Sequence, residues 1–192
     1  MLLGPTMDPK VANEIALRIP HLSLRMREHS ERALYYATRL ESMGVRVVYP
    51  GLPSHPQHAL LQRLSNEGYG AGGLLTIDTG DLHCSYRLME RLQNTHQFGL
   101  MAVSLGYFET LMSASGASTS SELTAEDKER AGITGGLLRL SVGITGTKEQ
   151  RWAQLKEAVQ HVLRGPLRPI SSPGVNAVVY HEGDGVKRAR VV

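Results

Sequence analysis

The chain has 192 residues, of which 41% are hydrophobic and 20% charged, with a formal net charge of +3. That length suits one domain with extensions, the composition allows a core, and the charge excess is too weak for a nucleic-acid footprint. One cysteine, Cys84, excludes an internal disulfide framework and a thiolate zinc site built within this chain, and fits a reducing, cytoplasmic compartment. No apolar run is long enough to span a bilayer. Met1-Leu2-Leu3-Gly4-Pro5 lacks the basic and apolar regions of a signal peptide, so neither membrane partners nor secretion is expected.

Asp8-Pro9 predicts an N-cap with proline in the first turn of a short helix that runs toward Ile19 and stops at Pro20. A longer helix follows. Leu22, Met26, Ala33, Ala37 and Leu40 share one face, Arg25, Arg27, Glu28, Glu31, Arg32 and Arg39 mostly take the others, and Gly44 caps the end. Val45, Val47 and Tyr49 alternate as a short strand closed by Pro50-Gly51. Ser54 and Gln57 have capping-box spacing before Ala59-Leu60-Leu61. The glycines from Gly68 to Gly73 predict a turn, Leu74 to Asp78 a strand, and Leu82, Ser85, Met89 and Leu92 an amphipathic helix.

Leu100 to Ser104 reads as another strand, and the small, hydroxyl-rich run from Ser113 to Ser121 as a loop. A charged helical turn or two is expected from Thr124 to Arg130, and a third core strand from Leu138 to Ile144. Thr147 and Gln150 are spaced to cap a last helix whose apolar face is Trp152, Leu155, Val159 and Val162, ended by Gly165-Pro166. The remainder has no period and is expected to be a mobile tail. No internal repeat is visible. The order of elements predicts a small α/β (α+β) fold, mainly antiparallel sheet with helices on one face.

One arginine stands out. In Leu137-Leu138-Arg139-Leu140-Ser141-Val142-Gly143 it interrupts an alternating apolar strand. A guanidinium is costly to bury without an anion, and its planar fork suits two-point binding of a carboxylate. Arg139 is therefore either paired with a structural acid or awaiting an acidic ligand. The companion segment Met101-Ala102-Val103-Ser104-Leu105-Gly106 ends in a hydroxyl.

Six blocks now fall into a known order: Gly4-Pro5-Thr6-Met7-Asp8-Pro9, Leu22-Ser23-Leu24-Arg25-Met26, Tyr49-Pro50-Gly51-Leu52, Ser54-His55-Pro56-Gln57-His58, Val103-Ser104-Leu105-Gly106 and Arg139-Leu140-Ser141-Val142-Gly143. Over about residues 1 to 164 the chain resembles the C-terminal part of the pyridoxal-phosphate enzymes of cysteine and methionine metabolism. That group holds cystathionine γ-synthase, cystathionine lyases and methionine γ-lyase. The stretch from Gln97 to Tyr107 is most similar to plant-type methionine γ-lyase.

The resemblance implies a fold-type I transferase fold, pyridoxal 5'-phosphate as cofactor, and γ-elimination from a small sulfur amino acid. It implies that Arg139 binds the substrate α-carboxylate and that Ser104 lies near the cofactor lysine and the substrate. Intact members are expected to be homo-oligomers. Residues 1–44 would be a helical segment packing on a large cofactor domain, 45–164 the small domain, and 165–192 the tail. No lysine sits in the family's serine-rich Schiff-base motif. Lys10, Lys128, Lys148, Lys156 and Lys187 fall in helical or tail contexts, so the chain by itself is expected to be inactive. The alternative is a non-catalytic module that docks on a full-length homologue.

The other candidates have plainer explanations. His55 and His58 have the spacing of two metal ligands but lack the further ligands that zinc needs, and fit a helix start. Cys84 has no clear histidine partner. The glycine-dense turn lacks the phosphate-loop lysine and the dinucleotide spacing. The basic tail residues Arg164, Arg168, Lys187, Arg188 and Arg190 lack interleaved aromatics for base stacking.

Overall fold

A computed structural model describes residues 6–115 and 123–163, with the backbone of 178–179 and 190–191. Most of the expected tail, and residues 116–121 of the hydroxyl-rich run, lie outside the described residues.

Asp8 accepts hydrogen bonds from Lys10 N and Val11 N and starts α1 (Pro9–Arg18), as a short acceptor before proline should. A single 3-10 turn, Ile19–His21, joins it to α2 (Leu22–Ser42). The expected apolar face of α2 is buried only in its second half, at Ala33, Ala37 and Leu40. Leu22 is 51% exposed. Gly44 ends the helix with φ at +79°, a conformation that needs no Cβ. Arg32, assigned to the polar faces, is buried instead, as is His29.

The strands are β1 (Arg46–Val48), β2 (Leu74–Asp78), β3 (Gly99–Met101), β4 (Thr110–Ala114) and β5 (Leu137–Ser141), in the order β1-β2-β5-β4-β3. All neighbours pair antiparallel except β3 with β4, which are parallel. A separate pair, β6 (Val178–Val179) and β7 (Arg190–Val191), is antiparallel. Leu75 and Ile77 of β2, Leu138 and Leu140 of β5, and Met112 and Ala114 of β4 point to one side and are buried. There they meet α2, α4 (Leu82–Glu90) and α6 (Lys148–Val162) through Tyr36, Leu40, Leu88, Leu155 and Val159, with Leu92 just after α4. Each such side chain contributes roughly 1.5–3 kcal/mol on burial. A short helix, α3 (His58–Leu64), covers the turn after β1, and α5 (Ala125–Arg130) precedes β5.

Three expectations need correcting. The loop expected from Ser113 begins inside a strand: Leu111, Met112, Ser113, Ala114 and Ser115 are all buried. Small side chains fit there because β4 is clasped between β5 and β3. The strand expected at Leu100–Ser104 stops at Met101, and the residues to Gly106 leave the sheet as a loop. The Ser54/Gln57 capping box does not form. Gln57 caps α3 without a side-chain bond, and Ser54 Oγ donates to Glu41. By contrast, Thr147 Oγ1 accepts from Gln150 N at 3.2 Å and starts α6 as its spacing predicts.

Candidate substrate-carboxylate site

Period-two alternation puts Leu74, Thr76, Leu137, Arg139, Ser141, Leu111 and Ser113 on the face of the sheet away from the helices. Arg139 is at the centre of that face, paired in register with Thr76 on one side and Ser113 on the other. Its Nη2 donates to the carbonyls of Val103 at 2.9 Å and Ser104 at 3.4 Å. Its Nε is buried and has no partner. Burial lowers its pKa, and no ion pair with an acid is found among the described residues.

Arg32 shows what a structural arginine looks like in the same molecule. Its Nε bonds Glu28 at 2.5 Å, and its two Nη groups donate to Thr145 O and Gly146 O at 2.9 and 2.8 Å. Charge and donors are both satisfied. Among the described residues Arg139 has main-chain dipoles alone, which a carboxylate can displace.

Ser104 meets Arg139 through its carbonyl, and its side chain is exposed on the loop. That loop is tied at Gly106, whose N–H donates to Ser141 Oγ at 3.0 Å and whose carbonyl accepts Arg25 Nη2 at 3.0 Å. Gly106 has φ at +69°, so the turn that aims the two carbonyls at Arg139 needs glycine. His29 of α2 bonds Val142 O at 2.6 Å and fixes the end of the arginine strand. Ser141, Arg25, His29 and Ser113 all escaped sequence reasoning. Ser141 carried a usable signal, because it lies two residues from Arg139 on an alternating strand. Arg25 carried none, being 81 residues from its partner.

The remaining candidates stay apart from this site. His55 Nδ1 accepts from Gln57 N, and His58 Nδ1 bonds Pro50 O at 2.9 Å, so both serve the turn before α3. Burial, then the neighbouring His58, holds the His55 pKa down. Among the described residues no group of three or more His, Cys, Asp or Glu could hold a metal. Burial, then Asp81, pushes the Cys84 thiol up, away from thiolate chemistry. Lys10 and Lys156 are exposed on helices, and Lys148 lies over the Tyr35 ring. The hydrogen bonds that hold Arg139 and the loop facing it are made with Val103, Ser104, Ser141 and Arg25, and none of these involves a lysine. The guanidinium of Arg139, resting on the Val103 and Ser104 carbonyls, can therefore receive a ligand carboxylate.

This is a sheet-and-helix portion of a pyridoxal-phosphate-dependent transferase fold. The chain resembles the solved cystathionine gamma synthase of Xanthomonas oryzae pv. oryzae in complex with aminoacrylate and cysteine, with a TM-score of 0.65 and 31% identity. The match covers 77% of this chain and 36% of that one. An O-acetylhomoserine (thiol)-lyase structure from Campylobacter jejuni, which carries a pyridoxyl-lysine phosphate, matches with a TM-score of 0.66 and 30% identity over 73% of this chain and 32% of that one. The sequence model for Cys/Met metabolism PLP-dependent enzymes matches residues 1–159, and the chain belongs to that family. It is 60% identical to the methionine gamma-lyase of Arabidopsis thaliana over 158 residues, 82% of this chain and 36% of that protein. Identity to the cystathionine beta-lyase of Coxiella burnetii is 33% over 132 residues, 68% of this chain and 33% of that protein. The chain thus spans about a third of the length of these relatives.

Proposed function

We propose that this chain is the substrate-side portion of a methionine γ-lyase-like enzyme acting by γ-elimination on a small sulfur amino acid in a reducing, cytoplasmic setting. Arg139 receives the α-carboxylate. Ser104 and its loop line the substrate beside it. The observation that carries this reading is the half-buried guanidinium of Arg139, held among the described residues by two main-chain carbonyls and by no acid. Its planar fork gives orientation as well as charge, and orientation of the amino acid is what the reaction class needs from this part of the protein. The 192 residues lack a lysine in a cofactor-binding motif, so they do not turn over methionine alone.

Two experiments test this. Mixing the chain with pyridoxal phosphate and methionine should give the same cofactor absorption as a protein-free control and release no thiol. A chimera in which this chain replaces the corresponding third of the Arabidopsis enzyme should release thiol. In it, Arg139→Ala should raise KM for methionine by about 10–100-fold, the loss of one charge-assisted contact. An unchanged KM would remove Arg139 from the site.

A second reading has its own observation. Val11, Ile15, Leu17 and Ile19 of α1 and its following turn, and Leu22 and Leu24 of α2, are all more than 40% exposed, an apolar strip of the kind that seeks a partner. Docking on a full-length homologue would cover it. Co-purification from cells expressing both chains would support that role, and a monodisperse monomer in the presence of the homologue would count against it.

A further inference from the structure

Four buried side-chain nitrogen or oxygen atoms lack a partner among the described residues: His29 Nε2, Ser113 Oγ, Thr134 Oγ1 and Arg139 Nε. Two of them, Ser113 Oγ and Arg139 Nε, belong to residues directly opposite one another in the β4–β5 ladder. Opposed residues of an antiparallel pair project from the same face, with Cβ atoms roughly 5 Å apart. Arginine Nε is a donor only, and a serine hydroxyl can accept. A donor and an acceptor on opposed residues, both shielded from water, remain unpaired while something else holds one of them. Here the hold is the Nη2 contact to Val103 O and Ser104 O at the far end of the guanidinium.

We propose that Ser113 is a positioning residue for Arg139: its hydroxyl accepts the Nε–H when the two Nη groups turn from the Val103 and Ser104 carbonyls to a ligand's carboxylate. The inference rests on the reading of Arg139 as a carboxylate receptor. Anchoring Nε fixes the plane of the guanidinium, and the two Nη groups then face the ligand as a fork. Without the anchor the charge remains but its orientation is lost. Ser113 is 5% exposed and does not itself reach the solvent side of the site.

The test is NMR of the full chain with arginine side chains labelled, the Arg139 Nε–H signal being assigned by its loss in Arg139→Lys. Sodium acetate is titrated against sodium chloride at constant ionic strength. In the unmodified chain acetate should shift that signal and slow its exchange with water. Ser113→Ala should weaken acetate binding roughly tenfold, as for one hydrogen bond to a charged group, and leave the Nε–H unprotected. Ser113→Thr, which keeps the hydroxyl on a strand-favouring residue, should restore both. Because the hydroxyl has no partner among the described residues, Ser113→Ala should leave the thermal midpoint unchanged or higher. Equal affinity and equal Nε–H protection in Ser113→Ala would overturn the role of Ser113 while keeping that of Arg139. A lowered midpoint would reveal a structural bond and also overturn it. No response of Arg139 to acetate in the unmodified chain would sink both assignments.

Discussion

Two arginines, alike in type and both withdrawn from water, behave differently because of what surrounds them. Arg32 ties α2 to the turn after β5 through Thr145 and Gly146, with Glu28 balancing its charge. Arg32→Ala should lower stability by about 2–3 kcal/mol, read from the denaturant midpoint, because two carbonyls lose a charged donor. Arg139 has no such role, and its replacement should change ligand binding more than folding. The glycine-dense turn is a second residue-scale case. Gly70 has φ at +68°, and a Cβ there would lie 2.1 Å from Ser30 Oγ, the atom that accepts Ala71 N and Gly72 N. Gly70→Ala should lower the thermal midpoint, at a cost of about 1–3 kcal/mol from backbone strain and the lost contact. Arg139 was conspicuous in the sequence because a charge inside an apolar strand breaks a local pattern. Arg32 was not, because on a helix surface a charge is unremarkable until another element covers it.

At the scale of elements, local signals were read where local bonds decide. Asp8 before Pro9, Gly44, and Thr147 before Gln150 all mark helix ends that form as expected. Asp81, unremarked in the sequence, caps α4 by accepting from Cys84 N at 2.8 Å. Asp81→Ala should cost about 1 kcal/mol and fray the helix, measurable by far-UV circular dichroism through a thermal melt. Ser54 and Gln57 had the right spacing but not the right backbone, since Ser54 found Glu41 instead. Strand β4 was hidden for a related reason. Met-Ser-Ala-Ser at 112–115 has the composition of a loop, and only pairing with both β5 and β3 makes it a strand.

Across the whole molecule, one apolar layer joins the sheet to α2, α4 and α6, while the opposite face of the sheet carries Arg139 and its loop. Leu138 is fully buried at the centre of that layer. Leu138→Ala should cost about 2–5 kcal/mol and lower the denaturant midpoint. At the molecule's edge Glu157 of α6 binds Arg91 at 2.6 Å and His96 at 2.5 Å, joining α6 to the turn after α4. The Arg91 hydrogen bonds first, then His96, hold the Glu157 carboxyl down to about 2 against an ordinary value of 4.5. A carboxyl depressed on folding adds stability that is complete above its unfolded pKa and disappears as pH falls through the folded one. The chain should therefore lose stability between about pH 4.5 and 2, and Glu157→Gln should flatten that part of the denaturation profile.

The sequence by itself determined the helix ends at Asp8, Gly44 and Thr147, the strands β2 and β5, and the position of Arg139 among apolar neighbours, because each depends on residues a few positions apart. Six ordered blocks also carried the family. Tertiary structure alone decided that Arg139 rests on the carbonyls of Val103 and Ser104, that Arg25 and Ser141 hold their loop, and that Ser113 faces the arginine from β4. Those contacts join residues 26 to 81 positions apart, which only strand order and helix placement bring together; no local spacing encodes a hydrogen bond whose partners meet through the fold.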